Sequence, residues 1–104
     1  MKTITDSTFE EMVLKAKTPV VVDFYTTGCP PCRMLAPLLE QLNNELEDVE
    51  IVKFDASEGN IPNIYQITSV PTLILFRNGE VVGHREGSAP KAVLEAWIEI
   101  SLDQ

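Results

Sequence analysis

The two cysteines of the chain, Cys29 and Cys32, are separated by two residues, and this spacing suits dithiol-disulfide exchange. One thiolate can attack a substrate disulfide, and the second thiol can then resolve the mixed disulfide. Cys29 lies where an apolar segment ends and a predicted helix begins, so unpaired amides and the helix dipole favour its thiolate. Cys29 is therefore the predicted nucleophile. Cys32 lies about one turn inside the helix and is the predicted resolving thiol.

Pro30 and Pro31 fill the two positions between the cysteines. Their fixed φ angles and missing amide hydrogens suit the first turn of a helix. We therefore expect a rigid helix entrance that tunes the redox properties of the pair.

Asp23 interrupts the apolar segment 20–25, six residues before Cys29. Burial of an ionised carboxylate is costly and normally raises its pKa. We predict that Asp23 lies beneath the cysteines and accepts a proton from Cys32, directly or through a water molecule. The alternative is an exposed carboxylate at the end of a strand.

Metal chemistry is a weaker interpretation of the cysteine pair. A structural zinc site needs four ligands, and His84 is the one further soft ligand in the sequence. A metal or cluster bridging two chains through paired thiolates remains compatible with the spacing. We expect no cofactor other than the redox-active Cys29–Cys32 disulfide.

Hydrophobic periodicity predicts the elements that position these residues, in the order β-α-β-α-β-α-β-β-α. A capping box of Ser7 and Glu10 begins the first helix, Asn78-Gly79 marks a hairpin, and Ser88 caps the last helix. Val93 is expected on the inward face of that helix. The other predicted segments are strands near residue 4 and at 20–25, 49–55 and 72–76, a leucine-rich helix through residues 35–46, and a helical turn at 61–65. This alternation favours a three-layer α/β sandwich with mixed strands.

The composition sets the class of protein and the classes of partner. The chain has 104 residues, 44% hydrophobic and 23% charged, which fits a single globular domain spanning residues 1–104. Its formal net charge of -8 disfavours binding to nucleic acids and to anionic membranes. The N-terminal residues lack the apolar run of a signal peptide, so we expect a cytoplasmic location. We separately expect a monomer. In such a compartment an inert structural disulfide is rare.

Pro71 follows Val70 and opens a predicted strand, where a proline costs a ladder hydrogen bond. This position indicates a special backbone conformation, with a trans proline at a strand start as the alternative. The cis form of the bond is one such conformation.

An ordered set of motifs across essentially the whole chain resembles the thioredoxin family. The motifs are Val22-Asp23-Phe24-Tyr25, Cys29-x-x-Cys32, Pro37, Val70-Pro71-Thr72, Phe76-Arg77-Asn78-Gly79 and Gly87. The resemblance implies an α/β/α sandwich with a central mixed five-stranded sheet. It also implies a protein-disulfide reductase that receives its electrons from a thioredoxin reductase or a similar donor. It further implies a cis Val70–Pro71 bond facing the cysteines, client backbone pairing at Val70, and a lysine near Asp23, for which Lys53 is the candidate. The predicted substrate-binding residues are Gly28, Pro30, Pro31, Val70, Pro71 and Gly87.

The active-site sequence departs from the usual family pattern. The family places tryptophan directly before the first cysteine and Gly-Pro between the two, whereas this chain has Gly28 and Pro30-Pro31. The Cys-Pro-Pro-Cys sequence resembles the tryparedoxin and nucleoredoxin branch, whose members are longer and keep the tryptophan. We therefore expect altered partner recognition. Two other functions remain open: an electron carrier dedicated to one peroxidase or reductase, and a non-catalytic binding subunit that uses the apolar site for docking.

Overall fold

The computed structural model describes residues 1–103, and within them the elements follow the predicted order. The strands are β1 (Lys2–Ile4), β2 (Val20–Tyr25), β3 (Glu50–Asp55), β4 (Thr72–Arg77) and β5 (Glu80–Glu86). The helices are α1 (Asp6–Phe9), α2 (Pro30–Glu45), α3 (Ile61–Ile64) and α4 (Lys91–Leu102), and α1 continues into a π-helical segment, Glu10–Leu14. Among residues 1–103, no helix is both long enough and apolar enough to cross a bilayer.

The strands form one mixed sheet in the order β1-β3-β2-β4-β5. Both β1 and β2 run parallel to β3, while β4 runs antiparallel to β2 and to β5. The central strand β2 places Asp23 opposite Lys53 of β3 and Leu73 of β4. The predicted five-stranded mixed sheet is confirmed.

Alternate side chains of β2 pack into two separate cores because successive strand residues point to opposite faces. Val20, Val22 and Phe24 belong to the core with Phe9, on the side of α1. On the other side, beneath α2 and α4, Val21 packs in the core whose buried members also include Leu35, Leu39, Leu42, Ile51, Leu73, Leu75, Leu94 and Ile98. Each of these leucines contributes about 1.5–3 kcal/mol when fully buried. Helices on both faces confirm the α/β sandwich, and Asp23 shares the face of α2.

The first helix begins before the predicted capping residue. Thr5 is the N-cap, and its amide donates to Thr8 Oγ1 at 2.9 Å. Thr5 has an extended backbone (φ -135°), as an N-cap requires, so Ser7 and Glu10 lie inside the helical segment. The prediction of a Ser7-Glu10 capping box is therefore wrong.

The C-terminal elements confirm the hairpin and correct the last helix. Asn78 and Gly79 have φ angles of 54° and 79°, the pair of positive values that a two-residue hairpin turn needs. The N-cap of α4 is Pro90, which is extended (ψ 153°), so the predicted Ser88 cap is wrong. Val93 is 44% exposed rather than inward, because the buried face of α4 carries Leu94, Ile98 and Ser101.

Candidate active site

The two cysteines form a disulfide at the N-terminal end of α2, with their Cα atoms 5.2 Å apart. Cys29 is the N-cap of the helix, and the Cys32 amide donates to Cys29 Sγ at 3.1 Å. Cys29 is 8% exposed and Cys32 is 4% exposed, so the predicted nucleophile lies slightly nearer the surface. Pro30 and Pro31 occupy the first two positions of α2 and are exposed.

The loop before β4 brings a second backbone segment to the cysteines. The Val70–Pro71 bond is cis, as the resemblance implies. The carbonyl oxygen of Val70 lies 3.8 Å from Cys29 Sγ, while the Pro71 carbonyl accepts the Gly87 amide at 2.8 Å. Val70, Pro71 and Gly87 are therefore gathered on one side of Cys29.

Gly28 and Arg33 lie on the other side of the cysteine pair. Gly28 is exposed, and a Cβ atom built on it would meet no atom within 4 Å among residues 1–103 other than Gly28 itself and its two chain neighbours. Arg33 Nη1 donates to the Thr27 carbonyl at 3.2 Å, which ties α2 to the loop that precedes Cys29. The position before the nucleophile is thus open at its first side-chain carbon.

Asp23 is buried, with 2% exposure, so the alternative of an exposed strand-end carboxylate is wrong. Among residues 1–103, its Oδ1 atom has no hydrogen-bond partner. Loss of hydration raises the pKa of Asp23 from 3.8 to about 7, against an opposing effect of the Lys53 charge. The carboxyl group can therefore exchange a proton near neutral pH.

A pocket of about 220 Å³ connects Asp23 with Cys32 and Lys53. It is large enough to hold water, which could carry a proton between the carboxylate and the thiol. Lys53 is half-buried, and its Nζ atom lies 5.6 Å from the centre of the Tyr25 ring. The pocket is also lined by Met1, Tyr25, Thr26, Thr27, Arg33 and Ala36.

Sequence reasoning did not identify Tyr25 as part of this pocket. The available signal was the two-residue period of a strand, which places Tyr25 on the same face as Asp23. Metal ligands are not gathered here: among residues 1–103 there is no group of three or more His, Cys, Asp or Glu side chains suited to an ion. His84 lies in β5, opposite Ile74 of β4.

Comparisons with known proteins assign the sequence to one family. The sequence model of the Thioredoxin family matches residues 1–100. The chain is 44% identical over 97 residues to a thioredoxin of Rickettsia bellii, covering 91% of this chain and 92% of the relative. It is 41% identical over 104 residues to a thioredoxin of Rhodospirillum rubrum, covering 98% and 100%. Thioredoxin C-2 of Corynebacterium nephridii is 43% identical over 97 residues, covering 91% and 90%.

Proposed function

The chain belongs to the thioredoxin family of thiol-disulfide oxidoreductases, and from this premise we propose that Cys29 attacks client disulfides and that Cys32 resolves the product. The observation that carries this assignment is the Cys32 amide, which donates to Cys29 Sγ at the start of α2. An amide at a helix N-terminus stabilises a thiolate, and a thiolate is the reactive form of cysteine.

Two electrons pass from the cysteine pair to the client in two exchange steps. The Cys29 thiolate attacks one client sulfur, the client S–S bond breaks, and the second client sulfur leaves as a thiolate. The Cys32 thiolate then attacks Cys29 Sγ, forms the Cys29–Cys32 disulfide and releases the first client sulfur. The client gains two thiols and the cysteine pair is oxidised.

Asp23 is the proposed proton acceptor for Cys32 in the second step. Its pKa of about 7 is matched to accepting a proton at neutral pH. The pocket shared by Asp23 and Cys32 provides a path through water. Lys53, the register partner of Asp23, adjusts the charge of this pocket.

Client binding is proposed at the backbone beside Cys29. An extended client segment pairs with Val70, whose carbonyl oxygen is 3.8 Å from the nucleophilic sulfur. Pro71 and Gly87 are joined by their backbone hydrogen bond and complete this side, while Gly28, Pro30 and Pro31 form the opposite rim.

The family supplies the partner classes, which are proteins with disulfides and a reductase that donates electrons. We propose that the protein acts as a cytoplasmic reductant, as a monomer of one domain, with no cofactor beyond its cysteine pair. A dedicated electron carrier is the second candidate, favoured by the open position at Gly28, where the usual aromatic side chain is missing.

Two measurements on the full chain test this function. We expect the reduced protein to reduce insulin disulfides and to equilibrate with glutathione buffers at or below the cytosolic poise, roughly -220 to -320 mV. A potential of about -120 mV would instead indicate an oxidant and contradict the proposed direction. Slow reduction of insulin together with a strongly reducing potential would favour the dedicated carrier.

The Gly28→Trp variant tests the open rim. We expect kcat/KM with a generic thioredoxin reductase to rise about tenfold, because one aromatic contact at an interface contributes on the order of 1–2 kcal/mol. Gly28→Ala is the matched control and should change little, since among residues 1–103 its added carbon has no atom within 4 Å beyond Gly28 itself and its two chain neighbours. Wild-type turnover already equal to that of a tryptophan-bearing thioredoxin would contradict this expectation.

A further inference from the structure

Lys53 has two neighbours in the site that compete for its ammonium group. Asp23 lies directly across the β2–β3 pair from Lys53, and Tyr25 lies two residues further along β2. The ammonium nitrogen is 5.6 Å from the centre of the Tyr25 ring, within the distance of about 6 Å at which a cation is attracted to a ring face. The lysine is therefore held over the tyrosine.

With the Lys53 ammonium over the Tyr25 ring, the carboxylate of Asp23 has an oxygen atom without a hydrogen-bond partner among residues 1–103. Its Oδ1 atom is buried and has no hydrogen-bond partner among residues 1–103, although a lysine occupies the paired position on the next strand. A lysine that reached this oxygen would satisfy it and compensate part of its desolvation.

The other charged or titratable groups of the pocket have bonding partners other than Asp23. From α2, Arg33 donates to the Thr27 carbonyl. The N-terminal ammonium of Met1 is bound to Glu40, which also belongs to α2. Cys32, the remaining titratable group that faces Asp23 from α2, is in the disulfide. Lys53, from β3, is the remaining cation that lines the pocket, and its ammonium group lies over the Tyr25 ring.

We propose that Tyr25 is a positioning residue: its ring holds the Lys53 ammonium and prevents a direct ion pair between Lys53 and Asp23. This inference rests on the proposed role of Asp23 as a proton acceptor. A directly paired carboxylate stays ionised and accepts a proton poorly, whereas a carboxylate with a distant cation keeps the proton affinity that the resolution step uses.

The Tyr25 ring can keep this role across the working pH range. Burial raises the pKa of Tyr25, and the nearby carboxylates of Asp55, Asp23 and Glu58 raise it further. The phenol therefore stays neutral at physiological pH, and the ring face remains attractive to a cation.

The decisive experiment compares Tyr25→Leu with Tyr25→Phe in the full chain. Leucine removes the aromatic face, so Lys53 can pair with Asp23, and we expect the carboxyl titration midpoint of Asp23, followed by ¹³C NMR, to fall by about one pH unit or more. Phenylalanine keeps the ring and should leave the midpoint close to the wild-type value. A midpoint that stays constant or rises in Tyr25→Leu would overturn the proposal.

The double variant Tyr25→Leu/Lys53→Met separates pairing from a general change of environment. We expect the downward shift to disappear when the ammonium is removed. Persistence of the downward shift in this double variant would contradict the role assigned to Lys53.

A measurement on the wild-type protein keeps the inference testable even if Tyr25→Leu does not fold. The methylene protons of Lys53 next to the ammonium should show an upfield ring-current shift, and normal random-coil values would overturn the proposal.

The rate of mixed-disulfide resolution distinguishes the positioning role of Tyr25 from the proton-acceptor role of Asp23. A shifted Asp23 titration with an unchanged resolution rate supports the positioning by Tyr25 and contradicts Asp23 as the proton acceptor.

Discussion

Replacement of Cys29 by serine is expected to lower the rate of protein-disulfide reduction by at least about 10³-fold. A serine hydroxyl is not ionised near neutral pH. The Cys29 sulfur, in contrast, accepts a hydrogen bond from the Cys32 amide at the start of α2 and can exist as a thiolate. The measurement is a single-turnover reaction of the reduced protein with a disulfide-bonded fluorescent peptide.

Cys32→Ser is the matched control, because it removes the other sulfur and leaves the first attack intact. We expect this variant to consume one equivalent of the peptide disulfide and to accumulate a covalent complex detectable by mass spectrometry. Accumulation of that complex in Cys29→Ser and its absence in Cys32→Ser would reverse the two assigned roles.

Asp23→Asn is expected to stabilise the fold at alkaline pH and to remove much of the pH dependence of stability. The folded-state pKa of Asp23 is about 7 and the reference value is 3.8, so the native protein binds more protons than the unfolded chain between these values. The free energy of unfolding therefore falls as pH rises from about 4 to about 7. At about 1.4 kcal/mol per pKa unit, the loss is on the order of 4 kcal/mol and is complete above pH 7.

Urea unfolding of the oxidised protein at pH 4 and pH 8 measures this effect. Asparagine cannot ionise, so the variant should gain up to about 4 kcal/mol over the wild type at pH 8 and very little at pH 4. Asp48→Asn, at an exposed position, is the matched control. Equal pH slopes in the wild type and Asp23→Asn would contradict a buried, proton-binding carboxyl group. The gain in stability should accompany slower resolution of the mixed disulfide.

The sequence was most informative where the signal is local. The apolar run of β2 and the spacing of Cys29 and Cys32 predicted a strand followed by a helix that begins at the cysteines. The positive φ angles of Asn78 and Gly79 follow from the few residue types that such a turn accepts. The burial of Asp23 followed from its position inside an apolar strand.

The corrections concern choices that local patterns leave open. Thr5 and Ser7 are both good N-cap residues, and the path of the chain after β1 selects Thr5. Val93 fits an apolar helical pattern, yet packing of α4 through Leu94, Ile98 and Ser101 leaves it on the exposed side. The contact of Lys53 with Tyr25 depends on β2 pairing with β3, strands that α2 separates in the sequence. Long-range pairing of this kind has no signal within one strand.

The prolines at the start of α2 have a consequence for the direction of electron flow. Helix entrances normally offer several free amide hydrogens, but Pro30 and Pro31 have none, so the Cys32 amide is the first that serves the Cys29 sulfur. With fewer donors, the reduced pair is less stabilised relative to its oxidised form. A dithiol that is less stabilised gives up its electrons more readily. The two prolines at the start of α2 therefore favour electron donation to the client.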